Sequence, residues 1–439
     1  MTRLAWRGVV LAAALGAAWP AAAQVGDLLD AYAAARAGDP VLRAADANLR
    51  AVGEGIVQAR APLLPQATAA AGLAQTHGPD SLGSDASIRS RDVGASVSQV
   101  ILDVGQLSRL SYAKARDRAE QATYRAADQA LSIRVARAYF DVLTSIDLLA
   151  TAEANEAAYL QQVTQSTERY RSGLVAMVDV DQARAYHASA RAATIGARKA
   201  LDDATAALAE VTGVRFDRIK TLQADLPLLP PQPADPQAWV DAALHDNPLI
   251  VAQQRNVEAA GHLVDAARAG HLPTVSASLD VGRPASWPGG DVAGRDGRTV
   301  TTVGVLLRIP LFAGGLTQST VRQALAQRDV TDADLETLRR RVARETLDHY
   351  SDVVAALGQI EATRTAVDAA TKALASTRVG QQVGTQTMTD LLLAIQTLSS
   401  AQLTHSQARH RFVLGQLLLK QSAGQVGEAD LRLVNALLR

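Results

Sequence analysis

Apolar residues recur every three or four positions along two long stretches of the chain. In the first stretch they are Leu131, Val135, Ala138, Val142, Ile146 and Leu149, and in the second they are Tyr350, Val353, Leu357 and Ile360. This spacing puts the apolar side chains on one face of an α-helix and is typical of a packed helical seam. Residues 106–172 contain neither proline nor glycine, so the pattern predicts one helix of about 100 Å. Periodicity alone also allows an ordinary large helical bundle.

Four shorter stretches alternate apolar and polar positions with a period of two, which predicts β-strands. The predicted strands cover residues 66–76, 91–102, 274–283 and 299–310. In the last of them Val305 and Leu307 share one face, and Thr302 and Gly304 share the other. Each stretch has about 10 residues, the length of a transmembrane β-strand. Residues 77–89 and 283–298, which separate the paired strands, are predicted to be exposed loops.

The same order of elements occurs twice along the chain. Asn247-Pro248 corresponds to Asp39-Pro40 at an offset of 208 residues, and Gly384 corresponds to Gly173 at an offset of 211. Each copy is predicted to contain a helix, a strand, a loop, a strand, a long helix, a turn and a further helix. An internal duplication is the simplest explanation.

The predicted organisation follows from this duplication. The first copy is 24–224, with long helices at 105–172 and 178–212. A linker follows at 225–236, which holds five of the 15 prolines. The second copy is 237–424, with long helices at 316–380 and 387–422, and the segment 425–439 follows it.

The N-terminal residues are typical of an export signal. Arg3 and Arg7 precede an apolar stretch at 9–18, and Ala21-Ala22-Ala23 is a small-residue cleavage pattern. We therefore predict a signal peptide at 1–23. The alternative is a membrane anchor, but a spanning helix needs about 20 apolar residues, and this stretch is shorter.

Composition excludes several classes of function. Lys+Arg and Asp+Glu both number 44 and aromatic residues are 4% of the chain, which argues against nucleic acid as a partner. Cysteine is absent, so disulfides, thiolate metal sites and cysteine nucleophiles are excluded. The eight histidines lack metal-ligand spacing, and no nucleophile elbow or phosphate loop occurs. The sequence predicts a protein that is not an enzyme and that uses no cofactor or metal.

Four strands are too few to close a membrane barrel, because single-chain barrels start at about eight. An open strand edge in lipid would leave backbone N–H and C=O groups unpaired at high cost. If the strands span a membrane, several chains must combine them, and three chains would give twelve. The alternative is two small soluble hairpins on a helical bundle.

Six motifs in the same order resemble the TolC family of outer-membrane channel proteins. They are Ala59-Arg60-Ala61-Pro62-Leu63-Leu64-Pro65, Ala138-Tyr139-Phe140-Asp141-Val142-Leu143, Arg169-Tyr170-Arg171-Ser172-Gly173-Leu174-Val175, His271-Leu272-Pro273-Thr274, Pro310-Leu311-Phe312-Ala313-Gly314-Gly315 and Val383-Gly384-Thr385. The resemblance implies a mixed α and β membrane protein, with long helical hairpins that form a periplasmic helical barrel. It also implies four transmembrane strands per chain, completed as a 12-stranded β-barrel in a homotrimer.

The resemblance further implies a place in the cell and a set of partners. The expected location is the Gram-negative outer membrane, with a helical tunnel that extends through the periplasm and with 425–439 in its equatorial region. The expected partners are outer-membrane lipid, a periplasmic adaptor protein and an inner-membrane ABC or proton-driven transporter, for type I protein secretion or small-molecule efflux. A periplasmic coiled-coil adaptor, or a structural protein without a pore, is the alternative function.

In this family acidic residues gate the periplasmic end of the tunnel and determine which ions pass through it. The matching positions are Asp390 and Asp179. Three chains would place three copies of Asp390 around one axis, and a ring of carboxylates attracts cations. Alternatively, each aspartate only complements the dipole of the helix that it starts.

Other positions at this end depart from the TolC pattern. Leu393 stands where a second ring acid is expected, and Gln381 and Gln386 replace the tyrosine and arginine of the latch. These replacements leave at most a hydrogen bond between Gln386 and Asp179 as a latch. The turns that face the adaptor are expected at Gly173-Leu174 and Gly384-Thr385.

Overall fold

The computed structural model describes residues 25–79, 85–288 and 297–439. The predicted signal peptide and the central parts of the two predicted loops, 80–84 and 289–296, lie outside these residues. The helices are α1 (Leu28–Gly38), α2 (Pro40–Arg60), α3 (Val104–Arg171), α4 (Met177–Thr212), α5 (Pro236–Asp246), α6 (Pro248–Arg268), α7 (Leu316–Val383), α8 (Met388–Ser422) and α9 (Glu428–Asn435). The strands are β1 (Val25–Gly26), β2 (Gln66–Pro79), β3 (Asp85–Leu102), β4 (Arg218–Ile219), β5 (Thr274–Gly282), β6 (Ala285–Pro288) and β7 (Val300–Arg308).

The duplication is visible in the lengths of the helices. α3 and α7 have 68 residues each, α2 and α6 have 21 each, and α4 and α8 have 36 and 35. At 1.5 Å per residue, α3 and α7 are each about 100 Å long. The long helices predicted from the apolar periodicity are therefore present in both copies.

The sequence predicted one helix before the strands of each copy, and this was wrong, because each copy has two. Proline occupies the first position of α2 and of α6, where its fixed φ favours a new helix and its missing N–H costs nothing. Asp39 and Asn247 precede these prolines in extended conformation, and their side chains accept hydrogen bonds from the N–H groups of Leu42 and Leu249. Each pair ends one helix and starts the next.

The long strands form one antiparallel sheet with the order β2-β3-β5-β7. The loop predicted at 77–89 is shorter than expected, because β2 and β3 remain paired as far as Pro79 and Asp85. The second predicted loop contains a strand, β6, which pairs with β3. Among the described residues, β2 and β7 each have a neighbouring strand on one side only, so this part of the sheet has two open edges.

Below the sheet the helices form an elongated body. The first part of α3 packs against α2 and α6, and its later part packs against α4 and α8; α7 packs in the same way against α6 and then α8. The predicted seam is confirmed, since Leu131, Val135, Val353 and Ile360 are all buried. No helix among the described residues is both long enough and apolar enough to cross a membrane.

The largest core cluster lies in the middle of the helical body, and short pairs of extended segments lie beside it. β1 pairs in parallel with β4, and Thr221 exchanges backbone hydrogen bonds with Arg439 at 2.9 and 2.8 Å. The cluster includes Tyr139 and Phe140 of α3 and Phe412 of α8. The C-terminal segment thereby joins the two copies at mid-height.

Candidate functional site

The end of the body that is farthest from the sheet is formed by two helix turns. The first tip turn, residues 172–176, joins α3 to α4, and the second tip turn, residues 384–387, joins α7 to α8. Gly173 and Gly384 have φ values of +71° and +85°. Residues other than glycine rarely adopt this conformation, so each glycine lets the chain leave its long helix and turn.

Backbone hydrogen bonds close both turns tightly. In the first, Gly173 N–H donates to Tyr170 O at 2.9 Å and Leu174 N–H donates to Arg169 O at 2.8 Å. In the second, Thr385 N–H donates to Gly380 O at 2.9 Å. These bonds satisfy carbonyl groups that a helix end would otherwise leave without partners. The side chain of Leu174 projects from the first turn and is 69% exposed.

Asp390 is part of a capping box at the start of α8. Thr387 Oγ1 accepts a hydrogen bond from Asp390 N–H at 3.1 Å, and Asp390 Oδ2 accepts one from Thr387 N–H at 2.9 Å. Thr387 Oγ1 also donates to Asp390 Oδ2 at 2.6 Å. The hydrogen bonds from the side chain and the backbone of Thr387 hold the pKa of Asp390 below its ordinary value. The carboxylate is exposed and therefore remains charged at neutral pH.

Asp179 occupies the matching place in the first turn of α4 but is held differently. Its helix starts at Ala176, which offers no side-chain cap, and Asp179 N–H donates to Ala176 O at 3.2 Å. The residue is half-buried, whereas Asp390 is exposed. Asp179 thus complements the N-terminus of α4 without a capping partner of the Thr387 type.

The first helical hairpin, α3 and α4, meets the second, α7 and α8, just above the tip turns. A tip cluster of Tyr159, Ala190, Met388, Leu391, Leu392 and Ile395 is buried there. Tyr159 O–H of α3 donates to Leu392 O of α8 at 3.1 Å, and its ring lies 5.5 Å from that of Tyr186. Burial raises the pKa of Tyr159, so the hydroxyl stays protonated and remains a donor. The cluster fixes α8 against the first hairpin.

One side-chain hydrogen bond joins the two hairpins beside this cluster. Thr389 Oγ1 of α8 donates to Gln182 Oε1 of α4 at 3.0 Å. The sequence did not predict this pair, because neither residue belongs to a motif and their contact depends on how the hairpins pack. Among the described residues of one chain, no hydrogen bond links Gln386 with Asp179. A contact between those two residues stays a prediction for an assembled channel.

The remaining predicted residues lie on α7, α8 and the turn between them. The side chain of Gln386 packs on Gly380, and Gln381 is half-buried in the last turn of α7. Leu393 is 54% exposed and lines a groove of about 480 Å³ between α7 and α8, with Thr363, Gln396 and Thr397. Since residues three apart share a helix face, Asp390 and Leu393 lie on one exposed stripe of α8.

The described residues offer no metal centre. Within residues 25–79, 85–288 and 297–439, no group of three or more histidine, aspartate or glutamate side chains is arranged to hold a metal ion. The tip turns carry the exposed carboxylate of Asp390 and the hydrogen bonds of its capping box.

Comparison with known proteins identifies the family. The family model for outer membrane efflux proteins matches residues 31–214 and 239–425, one match in each copy. The chain is 30% identical over 422 residues to the outer membrane protein TolC of Escherichia coli, which covers 94% of this chain and 85% of that protein. It is 28% identical over 418 residues to the alkaline protease secretion protein AprF of Pseudomonas aeruginosa, with 93% and 86% covered.

Solved structures share the fold. The crystal structure of the outer membrane protein VceC from Vibrio cholerae superposes with a TM-score of 0.78 at 23% identity, covering 91% of this chain and 96% of that chain.

Proposed function

This chain belongs to the outer membrane efflux protein family, and we propose that three copies of it assemble into one continuous channel. It is an exit duct of the efflux and type I secretion kind, located in the Gram-negative outer membrane and extending through the periplasm. Family membership sets aside the alternative of an adaptor or structural protein without a pore.

The two open edges of the sheet carry the proposal of assembly. β2 runs away from the helices and β7 runs back towards them, so β7 of one chain can pair antiparallel with β2 of the next. Unpaired backbone groups at these edges would cost several kcal/mol each in lipid. Three copies of the path β2-β3-β5-β7 give twelve strands, within the range of closed membrane barrels.

Exposed apolar residues at the sheet–helix junction support the same proposal. Leu311 and Phe312 follow β7 and are 92% and 90% exposed in the single chain. Contiguous exposed side chains of this size mark a surface that meets lipid or another chain. Below the junction α3, α4, α7 and α8 run side by side, so three chains contribute twelve helices to a tunnel.

The two tip turns are the surface that we assign to the partners. The duct receives cargo from a periplasmic adaptor and an inner-membrane transporter, and the exposed turns at Gly173-Leu174 and Gly384-Thr385 are the part of the chain nearest to them. Asp390 narrows the entrance and gives it a negative charge, and Leu393 lies one turn further along the same stripe of α8. The cargo is protein, small molecules or both.

A pair of charge substitutions in β7 tests the assembly. Val305 lies on the apolar face opposite Ala277, and Thr302 lies on the other face opposite Asp280. Val305→Arg should destabilise the inserted trimer by about 2–4 kcal/mol near the bilayer midplane, whereas Thr302→Arg should have a smaller effect. The measurement is the yield of detergent-resistant trimer in outer-membrane fractions. Equal yields of the two variants would contradict a barrel whose Val305 face meets lipid.

A further inference from the structure

The apolar face of the sheet carries a group of arginines at the end that is farthest from the helices. β5 and β6 pair with β3 in one continuous register, from Gly282 opposite Gly94 to Pro288 opposite Ile88. Arg283 lies between them, and its N–H donates to Val93 O at 2.7 Å. Because opposite residues share a face, Arg89, Arg91 and Arg283 lie on the face of Val93 and Val281.

At the outer end of the sheet, the described arginines of the strands lie on one face, and Asp92 and Asp280 lie on the other. The outer end of the apolar face carries three arginines, Arg89, Arg91 and Arg283. Asp92 and Asp280 lie on the other face, together with Thr68 and Ser96, whose hydroxyls are 2.7 Å apart. The outer end of the apolar face is therefore basic, and the opposite face is polar and acidic.

Two of the arginines donate hydrogen bonds to described residues, and a tryptophan lies opposite one of them. Arg89 Nε donates to Gln75 Oε1 at 3.3 Å, and Arg283 Nε donates to Gly297 O at 2.8 Å. Trp287 lies directly opposite Arg89 across the pair of β3 and β6. Tryptophan prefers the interface between membrane and water, where its ring is half-solvated. The apolar band thus ends at a basic and aromatic rim.

We propose that this outer rim, formed by Arg89, Arg91, Arg283 and Trp287, binds the phosphate groups of a phosphorylated lipid headgroup in the outer leaflet. The proposal rests on the proposed barrel, in which the apolar face meets lipid. Guanidinium groups bind phosphate oxygens through paired hydrogen bonds. Basic side chains beside an apolar surface attract anionic lipid headgroups. The apolar band would contact the acyl chains of the same lipid, so the site fits a lipid better than free phosphate.

The first test measures lipid retention by the purified trimer. The protein is placed in phosphatidylcholine nanodiscs with or without a bisphosphorylated lipid A, and the bound lipid A is counted by native mass spectrometry. The double variant Arg89→Gln/Arg91→Gln should retain at least fivefold less lipid A, and Arg89→Lys/Arg91→Lys should retain most of it. Arg308→Gln is the matched control, because Arg308 is on the polar face at the inner end, and it should change nothing.

Equal retention by the Gln/Gln variant and the parent in intact trimers would overturn the proposal and leave the proposed channel standing. Failure of every variant and of the parent to form inserted trimers would instead contradict the channel itself. Inorganic phosphate at millimolar concentration should not displace the lipid. Displacement by it would show a site for small anions and would overturn the lipid assignment.

The second test locates the rim in the bilayer by fluorescence. Downstream of the predicted signal peptide the chain contains only Trp239 and Trp287, and Trp239 is buried in the core. A Trp239→Phe variant therefore reports on Trp287 alone. Lipids brominated near the headgroup should quench this emission more strongly than lipids brominated near the end of the acyl chain. An absence of quenching by either lipid would place Trp287 away from lipid and overturn the proposal.

Discussion

Thr389 Oγ1 lies 3.0 Å from Gln182 Oε1, and this hydrogen bond joins the second hairpin to the first beside the tip turns. We expect it to hold α8 in the closed position, because any outward movement of the second tip turn must break it. An exposed side-chain hydrogen bond is worth about 1 kcal/mol or less.

Thr389→Val should therefore raise the open probability of single channels by up to about fivefold. Thr397→Val is the matched control, since Thr397 Oγ1 donates within its own helix, to Leu393 O at 2.8 Å. The measurement is single-channel recording in planar bilayers. An unchanged open probability in Thr389→Val, or an equal rise in Thr397→Val, would show that the hydrogen bond between Thr389 and Gln182 has no role in gating.

Asp390 has two possible roles, as a charge at the entrance and as the partner of Thr387 in the capping box. Three copies of the charge should select for cations. At a separation of about 6 Å and an effective dielectric constant near 20, each pair of unit charges interacts by roughly 3 kcal/mol before screening by mobile ions. Asp390→Asn should therefore reduce cation selectivity, measured as the reversal potential in a salt gradient.

Thr387→Val separates the two roles, because it removes the cap hydroxyl and keeps the charge. This variant should lose about 1 kcal/mol of helix stability while its reversal potential stays that of the parent. Asp179→Asn should leave selectivity largely intact and change the opening frequency. If Asp390→Asn keeps the selectivity of the parent, Asp390 is only a helix-start residue and the constriction lies elsewhere.

Gly173 and Gly384 should matter for export more than for assembly. Valine at either position would be forced into the left-handed conformation, which costs roughly 1–2 kcal/mol and distorts the turn. Gly173→Val/Gly384→Val should impair export and leave trimers in the membrane. Gly196→Ala is the control, because Gly196 lies inside α4 with open space around it, and this change should be tolerated. Loss of the trimer in the double valine variant would show that the glycines serve folding alone.

His410 should make the stability of the mid-height core depend on pH. Its Nδ1 lies 2.9 Å from Thr144 Oγ1 and its Nε2 lies 3.6 Å from Asp147 Oδ2. Burial lowers the pKa of His410 to about 4. The nearby charge of Asp147 opposes this shift only in part, and Arg409 acts in the same direction as burial. In the unfolded chain the imidazole of His410 binds a proton near pH 6.5. The contribution of neutral, buried His410 to stability is therefore fully present above that pH.

Stability should then fall by up to roughly 3 kcal/mol as the pH drops from 6.5 to 4, and should not change further below pH 4 on account of this residue. The melting temperature of the detergent-solubilised protein, measured across this range, reports the effect. His410→Gln should flatten the profile. A variant profile as steep as that of the parent would assign the pH dependence to other groups.

Much of the fold follows from local patterns. The absence of proline and glycine over 106–172, the alternation in the strands and the repeated Gly173 and Gly384 turns each reflect backbone physics that acts within a few residues. The Asp39-Pro40 boundary is present in the sequence as well, where its recurrence as Asn247-Pro248 indicates the repeat. It is also a helix stop and start, since proline cannot continue a helix that precedes it.

The rest depends on contacts between distant parts of the chain. The bond between Thr389 and Gln182 joins residues 207 positions apart, and no spacing rule reaches that far. The extension of β3 to Asp85 and the presence of β6 depend on register with neighbouring strands. Polar residues such as Gln75 and Ser87, which hydrogen-bond across that extension at 2.9 Å, hide the alternation that the core of each strand shows.

Closure of one barrel by three chains through β2 and β7 can be tested by disulfide cross-linking. The chain has no cysteine of its own, so an engineered pair has no background. β2 and β7 are separated by β3 and β5 within a chain, which means that a bond between them forms only between chains. Ala69→Cys is combined in turn with Thr301→Cys, Val303→Cys and Val305→Cys, all on the apolar face.

The control pairs Val97→Cys with the same positions in β7, because Val97 lies in β3, one strand inside the edge. Oxidised outer membranes are analysed on non-reducing denaturing gels. If three chains close one barrel, at least one Ala69→Cys combination gives a ladder of one, two and three chains that ends at three, and the Val97→Cys combinations give none. A ladder that ends at two, continues beyond three or fails to appear at every register would contradict closure by three chains.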